Sequence, residues 1–235
     1  MTSDAMTLDD ARREIGGEVA RLLFEAGAIH VSRERPFILA AGWASPVYVD
    51  VRALLGEPAL RQAVTDLAFR YVGATLPSGA IDAVAGAETA GIPFAAWLAD
   101  RMNVRLRYVR KRPLGIGRNA QVEGGDVEGL KVLLVDDLTT DGGSKLGFAR
   151  GLRAAGGDVV HVLTIFYHDA FPGAAERLAR AGLTLHPLAT WSDILRAPAA
   201  GAMAGDDRAE IERFLADPVV WSTRHGGRAS LAVRS

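Results

Sequence analysis

One stretch limits the possible folds of this chain more than any other. Val132-Leu133-Leu134-Val135, opened by Lys131, is an unbroken apolar run. Two adjacent carboxylates, Asp136 and Asp137, follow it, and then Leu138-Thr139-Thr140-Asp141-Gly142-Gly143-Ser144. A run that is apolar at every position has no face for water. It reads as a strand buried on both sides, the habit of parallel sheets covered by helices on both faces. Parallel neighbours need crossover connections, so strands and helices must alternate elsewhere in the chain.

They do. Ile81–Gly86, Val104–Val109, Val159–Phe166 and Leu183–Leu188 read as strands, and Gly91–Met102, Ser144–Ala155 and Ala174–Ala181 as helices. Ahead of them, Thr7–Ala28 reads as an amphipathic helix that Thr7 or Asp9 caps, and Pro58–Val72 as a helix with Pro58 in its first turn. Pro36–Asp50, with Gly42 and Pro46, reads as an extended or hairpin segment, and Asp206–Ala216 as a peripheral helix. The expected class is α/β, with a central, mostly parallel sheet flanked by helices. Arg112–Glu128 is the exception, being rich in glycine and charge and poor in large apolar residues. It reads as a functional lid or as a plain surface loop.

The chemistry sits at the carboxyl end of the central strand, where open α/β sheets bind ligands. A glycine-rich turn entering a helix aims backbone N–H groups at one point, which suits a phosphate. Thr139, Thr140 and Ser144 add hydroxyl donors. Two carboxylates beside that cradle fit sugar hydroxyls or a magnesium ion shared with phosphates. The GxxxxGK[ST] and GxGxxG patterns are absent. A phosphate-accepting receiver would need a lysine late in the chain, and none follows Lys145. A plainer alternative is that the acids only cap the next helix.

Composition narrows the setting. The net charge is −1, so the basic excess of a nucleic-acid binder is missing. No cysteine is present, which removes disulfides and thiolate metal sites. No apolar run nears the roughly 20 residues of a membrane span. Met1–Asp10 has three aspartates and no basic residue, unlike a secretory signal, so a cytoplasmic location is expected. The histidines are scattered and form no HExxH repeat.

The strand, the acid pair and the loop resemble the phosphoribosyl-diphosphate motif of type I phosphoribosyltransferases. Three further segments resemble the orotate branch of that family. Phe37–Tyr48 (FILAAGWASPVY) is similar to its N-terminal segment by the base. Gly86–Pro93 (GAETAGIP) is similar to its diphosphate loop, and Tyr108-Val109-Arg110-Lys111 to the start of its mobile catalytic loop. The variant LTTDGGS and the late Ala-Thr-Trp-Ser-Asp-Ile-Leu stretch are similar to an α-proteobacterial branch. The resemblance covers about residues 10–200.

It implies a fold with a small N-terminal hood. The segments are then 1–57 for the first helix and hood, 58–200 for the α/β core with a mobile loop at about 110–128, and 201–235 for the C-terminal helix and tail. It implies transfer of phosphoribosyl from phosphoribosyl diphosphate to orotate in pyrimidine biosynthesis, with pyrophosphate leaving. Asp136 and Asp137 would hold the ribose hydroxyls. Thr139, Thr140, Asp141, Gly142, Gly143 and Ser144 would form the 5-phosphate loop, with Thr140 also near orotate. Arg110 and Lys111 would neutralise the diphosphate together with Mg²⁺. That ion would be held mainly by substrate and water, with Asp136 and Asp137 as possible protein ligands. A homodimer is implied, with Arg110 acting across the interface. Tyr48 would pack on the base or serve as an ordinary strand aromatic.

The sequence also departs from the family pattern. Ala40, Ala90 and Leu114 stand where lysines are common, and Ile116 where a histidine is. Arg112 and Arg118 are the expected replacements, since guanidinium is a good phosphate ligand. Asp141 is an acid where a small neutral residue is commoner, so its carboxylate should turn away and cap the Ser144 helix. Another base transferase of the superfamily, or a non-catalytic binder of phosphoribosyl diphosphate, are the competing readings.

Overall fold

The computed structural model describes residues 7–113 and 121–230. The first helix, α1 (Leu8–Glu25), begins with a reciprocal cap. The Thr7 hydroxyl accepts from the Asp10 N–H at 3.1 Å, and the Asp10 carboxylate accepts from the Thr7 N–H. Two N–H groups that no helical turn can serve are satisfied this way.

The hood follows as short strands β1 (Ile29–Val31), β2 (Phe37–Ile38), β3 (Ala44–Ser45) and β4 (Val47–Val49). β2 and β3 form a hairpin, and β4 pairs antiparallel with β1. The expected extended segment is therefore split between two pairings, and β1 lies ahead of it. Helices α2 (Ala53–Gly56) and α3 (Pro58–Thr75) lead into the core.

The core runs β5 (Ala83–Ala87), α4 (Gly91–Met102), β6 (Arg105–Val109), β7 (Val122–Glu123), β8 (Lys131–Thr139), α5 (Gly143–Ala154), β9 (Asp158–Tyr167), α6 (Ala174–Arg180) and β10 (Thr184–Thr190). The strand order is β10-β9-β8-β5-β6-β7, parallel throughout except for β7 against β6. β8 is central, as its apolar run requires. Leu133 and Val135 face one apolar cluster with α1, α3 and α4, while Val132 and Leu134 face a second one with α5 and α6. This is the two-sided burial read from the sequence.

Three differences from the sequence reading have physical causes. β8 runs on through Thr139 because β9 stays beside it, pairing Asp136 with Thr164 and Thr139 with Tyr167. The acids therefore sit inside the ladder, not after it. Helix α8 (Gly205–Ala216) is not peripheral, since Ile211 and Phe214 are fully buried. Phe214 continues an aromatic chain from Trp43 through Phe171 to Trp221, with ring centroids 4.4, 5.8 and 5.6 Å apart. Trp221 belongs to helix α9 (Pro218–Arg224), which, like α7 (Trp191–Arg196), is too short to show a helical period in the sequence. Hood, core and tail thus share one apolar cluster.

The third difference concerns the glycine-rich segment. Its second half is built in. Val127 is buried in the second cluster, and the Arg107 guanidinium donates to the Asp126 carbonyl at 3.0 and 3.1 Å. The two ends are pinned together, with the Arg110 N–H donating to the Gln121 carbonyl and the Gln121 amide donating to the Arg110 carbonyl, each at 2.8 Å. Residues 114–120, and with them Leu114, Ile116 and Arg118, lie outside the described residues.

Candidate active site

The centre of the site is the acid pair on β8. The two carboxylates differ sharply. Asp136 is 7% exposed, and its Oδ2 accepts from the Lys145 ammonium at 2.6 Å. Its Oδ1 accepts from the Asp137 N–H at 2.9 Å. Lys145 lies in the first turn of α5, is 3% exposed, and also donates to the Leu138 carbonyl. Both charges are out of water, so each depends on the other. Asp137 has one oxygen on the Leu138 N–H at 2.8 Å. Burial, then the neighbouring Asp136 charge, pushes its carboxyl up to about 7, against the pull of Lys145. Asp137 is therefore an acid that rests near the edge of ionisation and that a cationic or hydroxyl-rich ligand would favour as carboxylate.

The loop 139–144 turns from β8 into α5. Gly142 has φ +74, a left-handed backbone that only glycine adopts freely, and it stands directly before the helix. The N–H groups of the first turn of α5 and its positive dipole end face the same space. Thr140 is half-buried, and Gly143 and Ser144 are exposed. Thr139 is buried, and its hydroxyl has no partner among the described residues. Asp141, one position before the N-cap Gly142, accepts the Gly143 N–H at 3.0 Å. It also faces Arg228 at 3.4 Å and Arg177 at 3.8 Å.

The neighbouring wall is the loop between β5 and α4. Gly91 has no room for a side chain, since an added Cβ would overlap the Val135 carbonyl and lie 3.2 Å from Asp136 Oδ1. Glycine there lets the start of α4 lie against the acid strand. Glu88 accepts the Lys111 N–H at 2.8 Å. Arg110 ends up between carboxylates, 3.1 Å from Glu123 and 3.9 Å from Glu88, with its guanidinium over the Tyr108 ring. The Glu123 hydrogen bond is the main reason its pKa is raised. Lys111 and Arg112 are exposed.

The hood supplies the third wall. Tyr48 is half-buried between His30 and Phe37, and its hydroxyl accepts from Arg52 at 2.7 Å. Arg52 also donates to Asp50 at 2.8 Å. Asp50 is the main reason its pKa is raised, with smaller help from Tyr48 and from Asp137 across the site. Arg52, Lys145, Arg177 and Arg228 were not singled out from the sequence. The scarcity of lysine was a signal for Lys145, but nothing local marked the three arginines. His168, at the end of β9, is buried. Its Nδ1 accepts from the Trp191 indole at 3.1 Å, and burial pushes it down to about 4, so it is neutral.

Similarity to known proteins follows the same geometry. A model of the phosphoribosyl transferase domain matches residues 50–191, from the end of the hood through β10. An orotate phosphoribosyltransferase of Rhizobium rhizogenes is 46% identical over 231 residues, 97% of this chain and 99% of that protein. The chain belongs to the orotate phosphoribosyltransferases. A second family member, from Cereibacter sphaeroides, is 47% identical over 213 residues, 89% of this chain and 91% of that one. The crystal structure of orotate phosphoribosyltransferase from Aeropyrum pernix superposes with a TM-score of 0.63 at 35% identity, covering 75% of this chain and 96% of that one. The type I phosphoribosyltransferase fold of the family is thus the sheet and hood described above, and the relatives agree with the α-proteobacterial resemblance.

Proposed function

We propose that this chain is an orotate phosphoribosyltransferase that moves the phosphoribosyl group of phosphoribosyl diphosphate onto orotate, giving orotidine 5'-phosphate and pyrophosphate in pyrimidine biosynthesis. The observation that carries the reading is the pairing of a buried Asp136–Lys145 bridge with a neighbour, Asp137, whose carboxyl accepts from the Leu138 N–H and is pushed up to about 7, directly before a glycine-led helix start.

In the reaction a base nitrogen bonds to C1 of the ribose as the C1–O bond to diphosphate breaks. Positive charge builds on the sugar and negative charge on the leaving group. Asp137 accepts from a ribose hydroxyl and faces the developing cation. Asp136, locked by Lys145, holds Asp137 in place through the N–H contact, which makes the pair rigid before substrate arrives. The loop 139–144 receives the 5-phosphate through backbone N–H groups and the Thr140 and Ser144 hydroxyls. Arg110 and Lys111, with Arg112, meet the diphosphate. Arg110 must exchange Glu123 and Glu88 for phosphate oxygens to do so. It does this in the site of a second copy, the mobile-loop arrangement of a homodimer.

Mg²⁺ fits this donor set in a limited way. No group of three His, Asp or Glu side chains suited to a metal occurs among the described residues, and Asp136 already serves Lys145. The ion would be held by diphosphate oxygens and water, with Asp137 as the available protein carboxylate. When bound it neutralises the leaving diphosphate. No helix of the described residues is long and apolar enough to cross a membrane.

The test is loss of orotate absorbance with phosphoribosyl diphosphate and Mg²⁺. Turnover is expected with orotate and not with uracil, adenine or hypoxanthine. Asp137→Asn should lower kcat by about 100-fold or more. Pyrophosphate release with another base and none with orotate would overturn the reading.

A further inference from the structure

The carboxy-terminal segment reaches into the site, and the reaction as described makes no use of it. We propose that Arg228, assisted by Arg177, is a positioning residue of the phosphate loop. It draws the Asp141 carboxylate out of the space the sugar phosphate occupies, and so makes the tail part of the substrate site. This rests on the reading of residues 139–144 as the phosphate loop.

An acid inside a phosphate loop repels its ligand unless its charge is met elsewhere. Asp141 has three partners, the first N–H of α5 and two guanidinium groups. The Gly143 N–H takes Oδ1 at 3.0 Å, and Oδ2 faces Arg228 Nη1 at 3.4 Å and Arg177 Nη1 at 3.8 Å. The Asp141 side chain is 14% exposed and both arginines 23%, so water screens these charges less than it would at the surface.

Arg228 is itself held in place from several directions. Its Nη1 donates to the Ala41 carbonyl at 2.8 Å, and the guanidinium lies 5.4 Å from the centre of the Trp43 ring. Its N–H donates to the Gly42 carbonyl at 2.9 Å, and its carbonyl accepts from the Ser222 hydroxyl at 2.8 Å. Gly42, at φ +86, leaves the hairpin turn open for the arginine, since an added Cβ would stand 3.0 Å from Arg228 Cδ. Arg228 is a strut between the hood and the phosphate loop. It lets this chain carry an acid at a position where an acid would otherwise oppose binding.

The test is a double-mutant cycle on the full chain, read by calorimetry with ribose 5-phosphate and by steady-state kinetics. Arg228→Ala should weaken ribose 5-phosphate and raise KM for phosphoribosyl diphosphate about tenfold, with kcat changed less than about threefold. In an Asp141→Ser background the same Arg228→Ala change should cost less than about twofold, because the charge it manages is gone. Equal losses in both backgrounds mean that the tail is only structural, and they overturn the proposal. A Thr140→Ala/Ser144→Ala variant tests the loop itself. Unaltered ribose 5-phosphate binding there means that the phosphate-loop reading fails and the proposal with it. Lost binding there, with no dependence of Arg228→Ala on Asp141, sinks the Arg228 proposal alone.

Discussion

Lys131–Ser144 and the wall opposite it bound the same space, yet they are assembled over very different sequence distances. The first is one continuous segment in which a strand, two acids, a bend and a helix start follow each other. The second is gathered from the hood, from Arg52 ahead of α2 and from Arg228, which bonds to Ala41 across 187 residues. A contiguous segment can encode its geometry through local rules, namely burial, turn conformation and helix initiation. A gathered wall depends on how the whole chain packs, and its residues carry no mark in their neighbourhood.

Lys145→Ala should break the contiguous wall hardest. It would leave Asp136 as a buried carboxylate without its counter-charge, a loss of about 3–5 kcal/mol in denaturant unfolding. Adding Asp136→Asn should restore a large part of that stability and none of the activity. If Lys145→Ala costs no more than an exposed ion pair, about 1 kcal/mol or less, the bridge does not hold the site together. Gly91→Ala comes next. An added Cβ would overlap the Val135 carbonyl, so either α4 or β8 must shift, at about 1–3 kcal/mol. Because the shift lands beside Asp136, kcat should fall more than the stability loss alone explains, and parallel unfolding and rate measurements check this.

The same contrast governs what the sequence disclosed. The central strand was legible from four apolar residues in a row, and Gly91–Met102 matched its helix at both ends because a glycine opens it and Asn103, in the left-handed conformation, closes it. The hairpin of the hood was legible from Gly42 and Pro46, but β1, which pairs with β4 outside that hairpin, was not, since a three-residue strand has too few positions to show a period. The reach of β8 to Thr139 was hidden because it depends on β9 staying alongside. In the site, the acid pair and the glycine bend were plain. The split of roles between Asp136 and Asp137 was not, because it depends on an α5 ammonium nine positions away folding back under the strand. Helix α9 and Arg228 could not be placed at all, since their contacts are with distant parts of the chain, the hood, α8 and the loop 139–144.

A smaller effect sharpens the acid pair. The folded Asp137 carboxyl titrates at about 7, above its value in the unfolded chain. Between about pH 4 and 7 the folded state then holds the extra proton, so this group's contribution to stability falls as pH rises. His168 and His186, both pushed down to about 4 mainly by burial, act in the opposite sense below about 6.5. Asp137→Asn removes only the first contribution. The stability of the variant relative to the original chain should therefore climb between about pH 4 and 7, by at most about 1.4 kcal/mol per pH unit, and level off on both sides. A flat difference would mean that Asp137 titrates as an ordinary surface acid.

The smallest expected effect concerns the gathered wall, where Tyr48 has two separable parts. Its ring lies between His30 and Phe37, and its hydroxyl holds Arg52 at 2.7 Å. Tyr48→Phe keeps the ring and releases the guanidinium, which still has Asp50 at 2.8 Å. One hydrogen bond to an exposed cation is worth about 1 kcal/mol or less, so kcat/KM should change less than about fivefold. Tyr48→Ala removes the ring as well. If the ring packs on the base, KM for orotate should rise with Tyr48→Ala and stay near its original value with Tyr48→Phe, while KM for phosphoribosyl diphosphate follows the hydroxyl in both. A rise in orotate KM of the same size in both variants would assign the effect to Arg52, and the hood would then meet the base through charge and not through stacking.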